Sequence, residues 1–280
     1  MSSTQDVLGS TILNSLQGGI SYITLNRPDA GNALLPNQRG VICRLLADAS
    51  QDPEIRAVVL KSNGKHFCAG ADMHLSASLS GAKKTEAKPQ RPGEHARSLM
   101  HGQESVQNLI AAILDCSKPV VAAVQGAAVG MGAEIALACD LIVASNRAYF
   151  SQIFIRRGIL IDAGCAYLLP RRIGLQKAKE LVFFGENLSA TEAEKIGLIN
   201  KAVPEDEFAS AVDDFAQRLA QGPTTAISLA KQLLNRSLES NRATAFLEEA
   251  LAAEINGRTD DIKEGISAFI DRRPPNFKGY

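Results

Sequence analysis

The chain has 280 residues, which is enough for one large domain or for a core with a smaller appended domain. Its 45% hydrophobic and 21% charged residues are typical of a folded globular protein and exclude a fibrous or wholly disordered chain. The 30 lysines and arginines balance the 30 aspartates and glutamates, so no net charge favours binding to nucleic acid or to an acidic membrane surface.

The cysteines and the first residues indicate the compartment. The five cysteines are scattered and have no CxxC spacing, which is typical of reduced thiols rather than of disulfides or a zinc site. The first ten residues lack a basic and apolar signal segment, and no later stretch has about 18 consecutive apolar residues. We therefore expect a soluble, cytoplasmic protein that does not associate with membranes.

The predicted elements begin with two alternating strands, 11–17 and 20–25, joined by Gly18 and Gly19, which supply the positive φ of a tight hairpin. The elements that follow alternate between helix and strand: helix 36–49, strand 56–63, helix 105–114, strand 119–125, helix 132–139 and strand 140–146. This alternation predicts an α/β fold.

Two later segments break the pattern. Residues 76–95 are polar and contain two prolines, which predicts a loop or lid. From residue 205 onward the apolar spacing is helical throughout. We therefore predict a core, 1–204, that carries ligand binding and catalysis, and a helical subdomain, 205–280, that serves oligomerisation. The pattern from Ser189 to Glu192 is that of a capping box at a helix start.

Two glycine-containing segments could bind a ligand through the backbone. Small residues in HFCAGADM, 66–73, allow close backbone approach, although a plain tight turn would explain them as well. The segment QGAAVGMGAE, 125–134, follows a strand and opens a helix, where free N–H groups favour a phosphate or a developing oxyanion. Its glycines do not form the GxGxxG pattern of dinucleotide-binding folds.

Four segments together resemble the crotonase, or enoyl-CoA hydratase/isomerase, family. They are LNRPDAGNAL at 25–34, HFCAGADM at 66–73, GAAVGMGAEIALACDLIVAS at 126–145 and ENLSATEAEKIGLINKAVP at 186–204. The match covers nearly the whole chain. It implies an α/β superhelix of ββα units with a C-terminal helical subdomain, assembly into homotrimers or hexamers, and an acyl-CoA substrate. No metal or cofactor is implied beyond the coenzyme A moiety of that substrate, and no nucleic acid or membrane partner.

The resemblance also assigns binding roles. In the family, two backbone N–H groups hold the thioester oxygen, and the matching residues are Ala71 and Met131. Such donors stabilise the charge that develops on oxygen by roughly 3–4 kcal/mol each. The residues implied to bind the coenzyme A part are Arg27, Ala69, Gly70, Asp72, Met73, Gly130 and Lys278, the last in a tail that resembles one reaching a neighbouring subunit's ligand. A solvated basic tail is the alternative for Lys278.

The acidic residues depart from the hydratase pattern. Family hydratases use two glutamates; the first matches Glu134, but Phe154 stands at the second position. Adding water across a double bond needs one group to activate the water and another to handle the proton at the α carbon. The missing second glutamate therefore argues against hydration. Asp162 matches an aspartate that acts on the substrate in dienoyl-CoA and epoxyphenylacetyl-CoA isomerases, and we expect the preceding apolar residues, 159–161, to desolvate it. The alternatives are a helix N-cap for Asp162 and a buried structural acid for Glu134.

The resemblance therefore implies an enoyl-CoA double-bond isomerase in fatty or aromatic acid metabolism. Asp162 would shuttle a proton, and Glu134 would assist at the other carbon or orient water. A 2-enoyl-CoA hydratase and a catalytically idle relative that binds coenzyme A or RNA are the alternatives. A dehalogenase is disfavoured because the chain has no Trp to grip an aromatic ring. We expect the four histidines to be solvated or locally bonded.

Overall fold

The computed structural model describes residues 11–72, 96, 99–102 and 104–280. The predicted loop at 76–95 and Met73 lie outside these described residues. Within them the chain forms a mixed α/β structure, as the alternating pattern predicted. Every helix of the described residues is too short or too polar to cross a lipid bilayer.

A six-stranded sheet forms the centre of the molecule. In spatial order its strands are β1 (Ile12–Gln17), β2 (Ile20–Leu25), β3 (Ala57–Ser62), β4 (Val120–Val124), β6 (Leu141–Ser145) and β9 (Lys201–Val203). The first pair is antiparallel and the other pairs are parallel. Gly18 and Gly19 close the hairpin with φ of 59° and 77°, so the predicted hairpin is confirmed.

A smaller sheet contains three strands of three residues each. Its order is β5 (Ala127–Val129), β7 (Tyr149–Ser151) and β8 (Asn187–Ser189). Strand β5 lies within the second glycine-containing segment, for which the sequence predicted only a turn before a helix. This sheet therefore fixes the chain just before that helix begins.

Ten α-helices lie in the described residues. They are α1 (Pro36–Gln51), α2 (Val106–Asp115), α3 (Met131–Ala138), α4 (Cys165–Ile173), α5 (Leu175–Phe184), α6 (Ala190–Lys195), α7 (Phe208–Ala220), α8 (Thr224–Arg236), α9 (Arg242–Asn256) and α10 (Asp260–Asp271). Several begin at a polar cap, as expected where the first N–H groups lack intrahelical partners. The Ser189 hydroxyl accepts the Glu192 N–H at 3.2 Å, which confirms the serine half of the predicted capping box.

The two faces of the large sheet pack against different helices. One face belongs to the main core, which includes buried residues of α1, α2 and α3 such as Ile42, Ile113 and Ile135. The other face packs against α7, whose Val212 and Ala216 are buried with apolar residues of the strands. The first helix beyond residue 204 thus covers the core sheet itself, while the domain boundary placed there stays a prediction.

Candidate active site

The backbone N–H of Ala71 is held in a short parallel pairing with Leu34. The Leu34 N–H donates to the Gly70 carbonyl at 2.9 Å, and the Asp72 N–H donates to the Leu34 carbonyl at 3.1 Å. Because the flanking residues make these bonds, the N–H of the residue between them points away from Leu34. Within the described ranges, the Ala71 N–H donates to no acceptor.

The backbone N–H of Met131 lies in the same region. Met131 is the first residue of α3, and N–H groups in a first helical turn have no intrahelical acceptor. The preceding Gly130 has a φ of 55°. A methyl group added at Gly70 would lie 3.1 Å from the Val129 carbonyl oxygen and 3.8 Å from the Met131 nitrogen. The segments that carry the two donors are therefore adjacent, as the resemblance implied.

Backbone pairing joins these two segments. The Cys68 N–H donates to the Ala127 carbonyl, and the Val129 N–H donates to the Cys68 carbonyl, each at 3.0 Å. A methyl group added at Gly132 would overlap the Cys68 carbonyl oxygen, so the start of α3 approaches this strand more closely than any side chain permits. This close approach holds the two N–H groups at a fixed separation.

An ion pair fixes the residue after Ala71. Arg27 bonds the Asp72 carboxylate at 2.9 Å, with 19% and 11% of the two side chains exposed, and also donates to the Ala33 carbonyl at 2.8 Å. Both charged residues were predicted to bind coenzyme A. In the structure they bind each other and brace the Ala71 turn, and their role toward coenzyme A stays a prediction.

Glu134 is an isolated buried acid. It lies in the first turn of α3 with none of its surface exposed, and among the described residues neither carboxylate oxygen has a partner with good hydrogen-bond geometry, although Gln152 and Cys165 lie close to it. Burial is the main cause that raises its pKa to about 8; the side chains of Gln152 and Cys165 lower the pKa, and the Asp162 charge, a smaller effect, raises it. Glu134 is therefore predominantly protonated at neutral pH and can donate a proton.

Asp162 lies half-buried in the loop before α4. That helix begins at Cys165 with Gly164 as its N-cap and no capping side chain, so the helix-cap alternative for Asp162 is wrong. Of the preceding apolar residues, Ile159 and Leu160 are 40% and 83% exposed, whereas Ile161 packs partly buried against the core, so desolvation of Asp162 stays a prediction. The Asp162 charge is one of the smaller causes of the raised pKa of Glu134.

Phe154 fills the wall of this region. Its side chain is 8% exposed, and its Cζ atom would lie 3.7 Å from a methyl group added at Gly130. The ring thus packs over the turn that precedes Met131. An aromatic surface, with no proton to exchange, stands where the hydratase pattern would have a second carboxylate.

Comparison with known proteins identifies the family of the chain. A family profile described as enoyl-CoA hydratase/isomerase matches residues 15–280. The chain belongs to the enoyl-CoA hydratase/isomerase, or crotonase, family. It is 36% identical to a Rhodobacter capsulatus protein named probable enoyl-CoA hydratase, covering 96% of this chain and 98% of that one. It is 33% identical to the 1,2-epoxyphenylacetyl-CoA isomerase of Escherichia coli, over the same shares of both chains.

Solved structures show the crotonase fold as well. The crystal structure of an enoyl-CoA hydratase/isomerase from Cupriavidus metallidurans superposes with a TM-score of 0.85 at 31% identity, covering 96% of this chain and 97% of the other. The fold class inferred from the motifs is thereby confirmed. Relatives named hydratase and relatives named isomerase match the chain to similar degrees, so the family fixes an acyl-CoA enzyme but not which of the two reactions it catalyses.

The remaining predicted binding residues have other neighbours or lie elsewhere. Ala69 is exposed beside Gly70, and Met73 lies outside the described residues. Lys278 is exposed, and its backbone N–H donates to the Asp261 carboxylate at 2.6 Å, so the tail is anchored to α10. Binding of coenzyme A by Lys278 stays a prediction.

Sequence reasoning missed the residues that surround Glu134 and the two donors. Gln152 and Cys165 are buried beside Glu134, and the Cys165 thiol donates to the Gln152 side-chain oxygen at 3.5 Å. Asn32, with a φ of 56°, ties the Arg27 turn to the carbonyl groups of Asn63 and His66. A polar residue within a glycine-containing motif was the available signal for Asn32, whereas nothing local marked the other two.

Proposed function

We propose that this crotonase-family protein isomerises the double bond of an enoyl-CoA through a thioester enolate. The observation that carries the proposal is a pair of unlike carboxyl groups beside two open backbone donors. Glu134 is buried and protonated, while Asp162 is half-buried and close enough for its charge to affect Glu134. Carboxyl groups in such different environments divide the roles of acid and base.

The reaction follows from these roles. With a 3-enoyl-CoA, the Asp162 carboxylate removes a proton from C2, and the electron pair moves onto the thioester oxygen. The N–H groups of Ala71 and Met131 donate to that oxygen and stabilise the enolate. The enolate collapses while Glu134 delivers a proton to C4, which moves the double bond to C2–C3. The proton on Asp162 then returns to Glu134, so both residues recover their starting states.

Asp162→Asn tests this proposal. The wild-type protein should convert a 3-enoyl-CoA into the conjugated 2-enoyl-CoA, seen as a gain of enoyl-thioester absorbance, and should exchange the α-proton in heavy water. The variant should lose both activities by about 10²- to 10⁴-fold, because an amide cannot accept the proton. The exposed Asp206→Asn is the matched control and should leave both rates unchanged. Unchanged turnover in Asp162→Asn would contradict the assignment of the base.

A 2-enoyl-CoA hydratase is the second candidate. It is favoured by the name of the 36%-identical relative and by the presence of Glu134 on the helix after the second glycine-containing segment. In this reaction Asp162 would take the part of the second glutamate. Crotonyl-CoA separates the candidates, since hydration removes the enoyl absorbance, whereas an isomerase leaves this substrate unhydrated.

We also propose that the chain assembles into a homotrimer or hexamer. Helix α9 has no buried residue, and its Phe246, Leu247 and Leu251 are 63%, 60% and 58% exposed. On α10, Phe269 is 84% exposed. Apolar surface of this extent on two consecutive C-terminal helices favours association, and a second copy of the chain is the proposed occupant.

We propose that Arg27 and the lysine of the C-terminal tail, Lys278, contact the phosphates of coenzyme A.

A further inference from the structure

We infer that His66 is a positioning residue that holds the two oxyanion donors in register; the inference rests on the proposed function. The His66 Nδ1 atom accepts the backbone N–H of Ala127 at 3.1 Å. His66 begins the segment that leads to Ala71, and Ala127 begins the segment that leads to Met131. One imidazole ring therefore connects the origins of both donor segments.

The ring replaces a bond that the backbone fails to make. Because Cys68 pairs with Ala128 in a parallel ladder, the regular pattern would have the Ala127 N–H donate to the His66 carbonyl. That carbonyl instead accepts the Asn32 side-chain amide at 2.7 Å. The ladder is also displaced by one residue here, since Phe67 rather than His66 donates to the Gln125 carbonyl, at 2.7 Å.

Close packing makes the ring's position specific. A methyl group added at Gly126, where φ is 57°, would lie 2.8 Å from the His66 Nδ1 atom and would overlap the Lys65 carbonyl oxygen. Ala127 is 4% exposed, so its N–H has little access to water as a substitute acceptor. Without the ring, this buried donor is left unpaired or β5 shifts to find another acceptor.

The chemistry of the contact selects the test variants. The contact needs a side-chain acceptor at the place of Nδ1, because the Ala127 N–H supplies the proton. Asparagine offers an Oδ1 acceptor that stands the same number of bonds from Cα as Nδ1, whereas leucine fills similar space and offers none. His66→Asn should therefore preserve the contact and His66→Leu should remove it.

The experiment compares these variants on the full-length protein. For His66→Leu we expect kcat for 3-enoyl-CoA isomerisation and the rate of α-proton exchange to fall about 10- to 100-fold, because misplaced donors stabilise the enolate less. The KM should stay within about threefold, since the proposed role acts through the two donors on the transition state. His66→Asn should restore most of kcat. Unfolding midpoints, measured alongside, separate a local shift from global destabilisation.

Several outcomes would overturn the inference. They are a kcat of His66→Leu equal to that of the wild type, a His66→Asn variant no faster than His66→Leu, or a loss that falls on KM alone. If His66→Leu does not fold, His66→Gln takes its place, because its acceptor lies one bond farther from Cα and should give an intermediate kcat. A wild-type protein without α-proton exchange contradicts the proposed function and this inference together; wild-type exchange matched by His66→Leu contradicts only the role of His66.

Discussion

Glu134 couples the chemistry of the site to the stability of the protein. Its pKa rises from 4.5 to about 8, mainly because the carboxyl group is buried. The native state therefore holds this proton more tightly than the unfolded chain does. Below about pH 4.5, where Glu134 is protonated in both states, its burial does not change the stability with pH. As the pH rises from about 4.5 to 8, the free energy of unfolding falls, and above about pH 8 it stays at the lower value.

Glu134→Gln should prevent this fall in stability at high pH, because a neutral amide of the same shape does not ionise. Its free energy of unfolding should exceed that of the wild type at pH 9, by at most ~5 kcal/mol, and should be similar at pH 4. Urea unfolding at the two pH values measures the difference. The exposed Glu249→Gln serves as the control and should follow the wild type at both. A pH-independent difference between Glu134→Gln and the wild type would contradict the burial argument.

At the level of single residues, the sequence identified groups but not their surroundings. The motifs singled out Glu134 and Asp162, yet the burial of Glu134 depends on side chains distant along the chain, Gln152 and Cys165 among them. Of the apolar residues expected to cover Asp162, Ile159 and Leu160 are exposed, whereas Ile161 packs partly buried against the core. His66 was expected to be solvated or locally bonded, whereas the structure pairs its ring with the backbone N–H of Ala127, 61 residues away.

A buried lysine of helix α8 bonds to the core. Lys231 bonds the Asp140 carboxylate at 2.8 Å and also donates to the carbonyl groups of Ile113 and Lys118, each at 3.2 Å. The lysine side chain is 6% exposed and Asp140 is 20% exposed. Asp140 also accepts the Val120 N–H at 2.7 Å, so this contact links the helix to the start of β4.

Lys231→Met should destabilise the fold by roughly 3 kcal/mol, because it leaves a largely buried carboxylate without its cation. Adding Asp140→Asn should recover part of the loss, since the amide oxygen still accepts the Val120 N–H and carries no charge. Equilibrium unfolding of the two single variants and the double variant gives the coupling free energy. Strictly additive effects would show that the ion pair makes no contribution of its own.

Among the elements, length determined what could be predicted. The strands of the hairpin, helix α1 and the C-terminal helices each extend over six or more residues, so the spacing of their apolar residues distinguishes strand from helix. Strands β5, β7, β8 and β9 have three residues each, too few to show a period. They form because neighbouring segments offer them backbone partners, which is information that no local pattern contains.

For the whole molecule, the proposed assembly predicts a concentration-dependent mass. The wild type should sediment as three or six copies of the 29.8 kDa chain. Leu251→Asp on α9 should shift the equilibrium toward smaller species, because it places a charge in the apolar contact. Glu249→Gln on the same helix is the matched control. A wild-type protein that sediments as a single chain at micromolar concentration would contradict the proposal.

The two proposed oxyanion donors have a consequence for how such an enzyme can change over generations. Both belong to the main chain, so replacing the Ala71 or Met131 side chain leaves the N–H in place, and proline is the one encoded residue that deletes it. Related proteins can therefore differ in their acids, bases and pocket-lining residues while the two backbone donors remain in place. Phe154 in place of a glutamate, with Asp162 nearby, has the form of such an exchange.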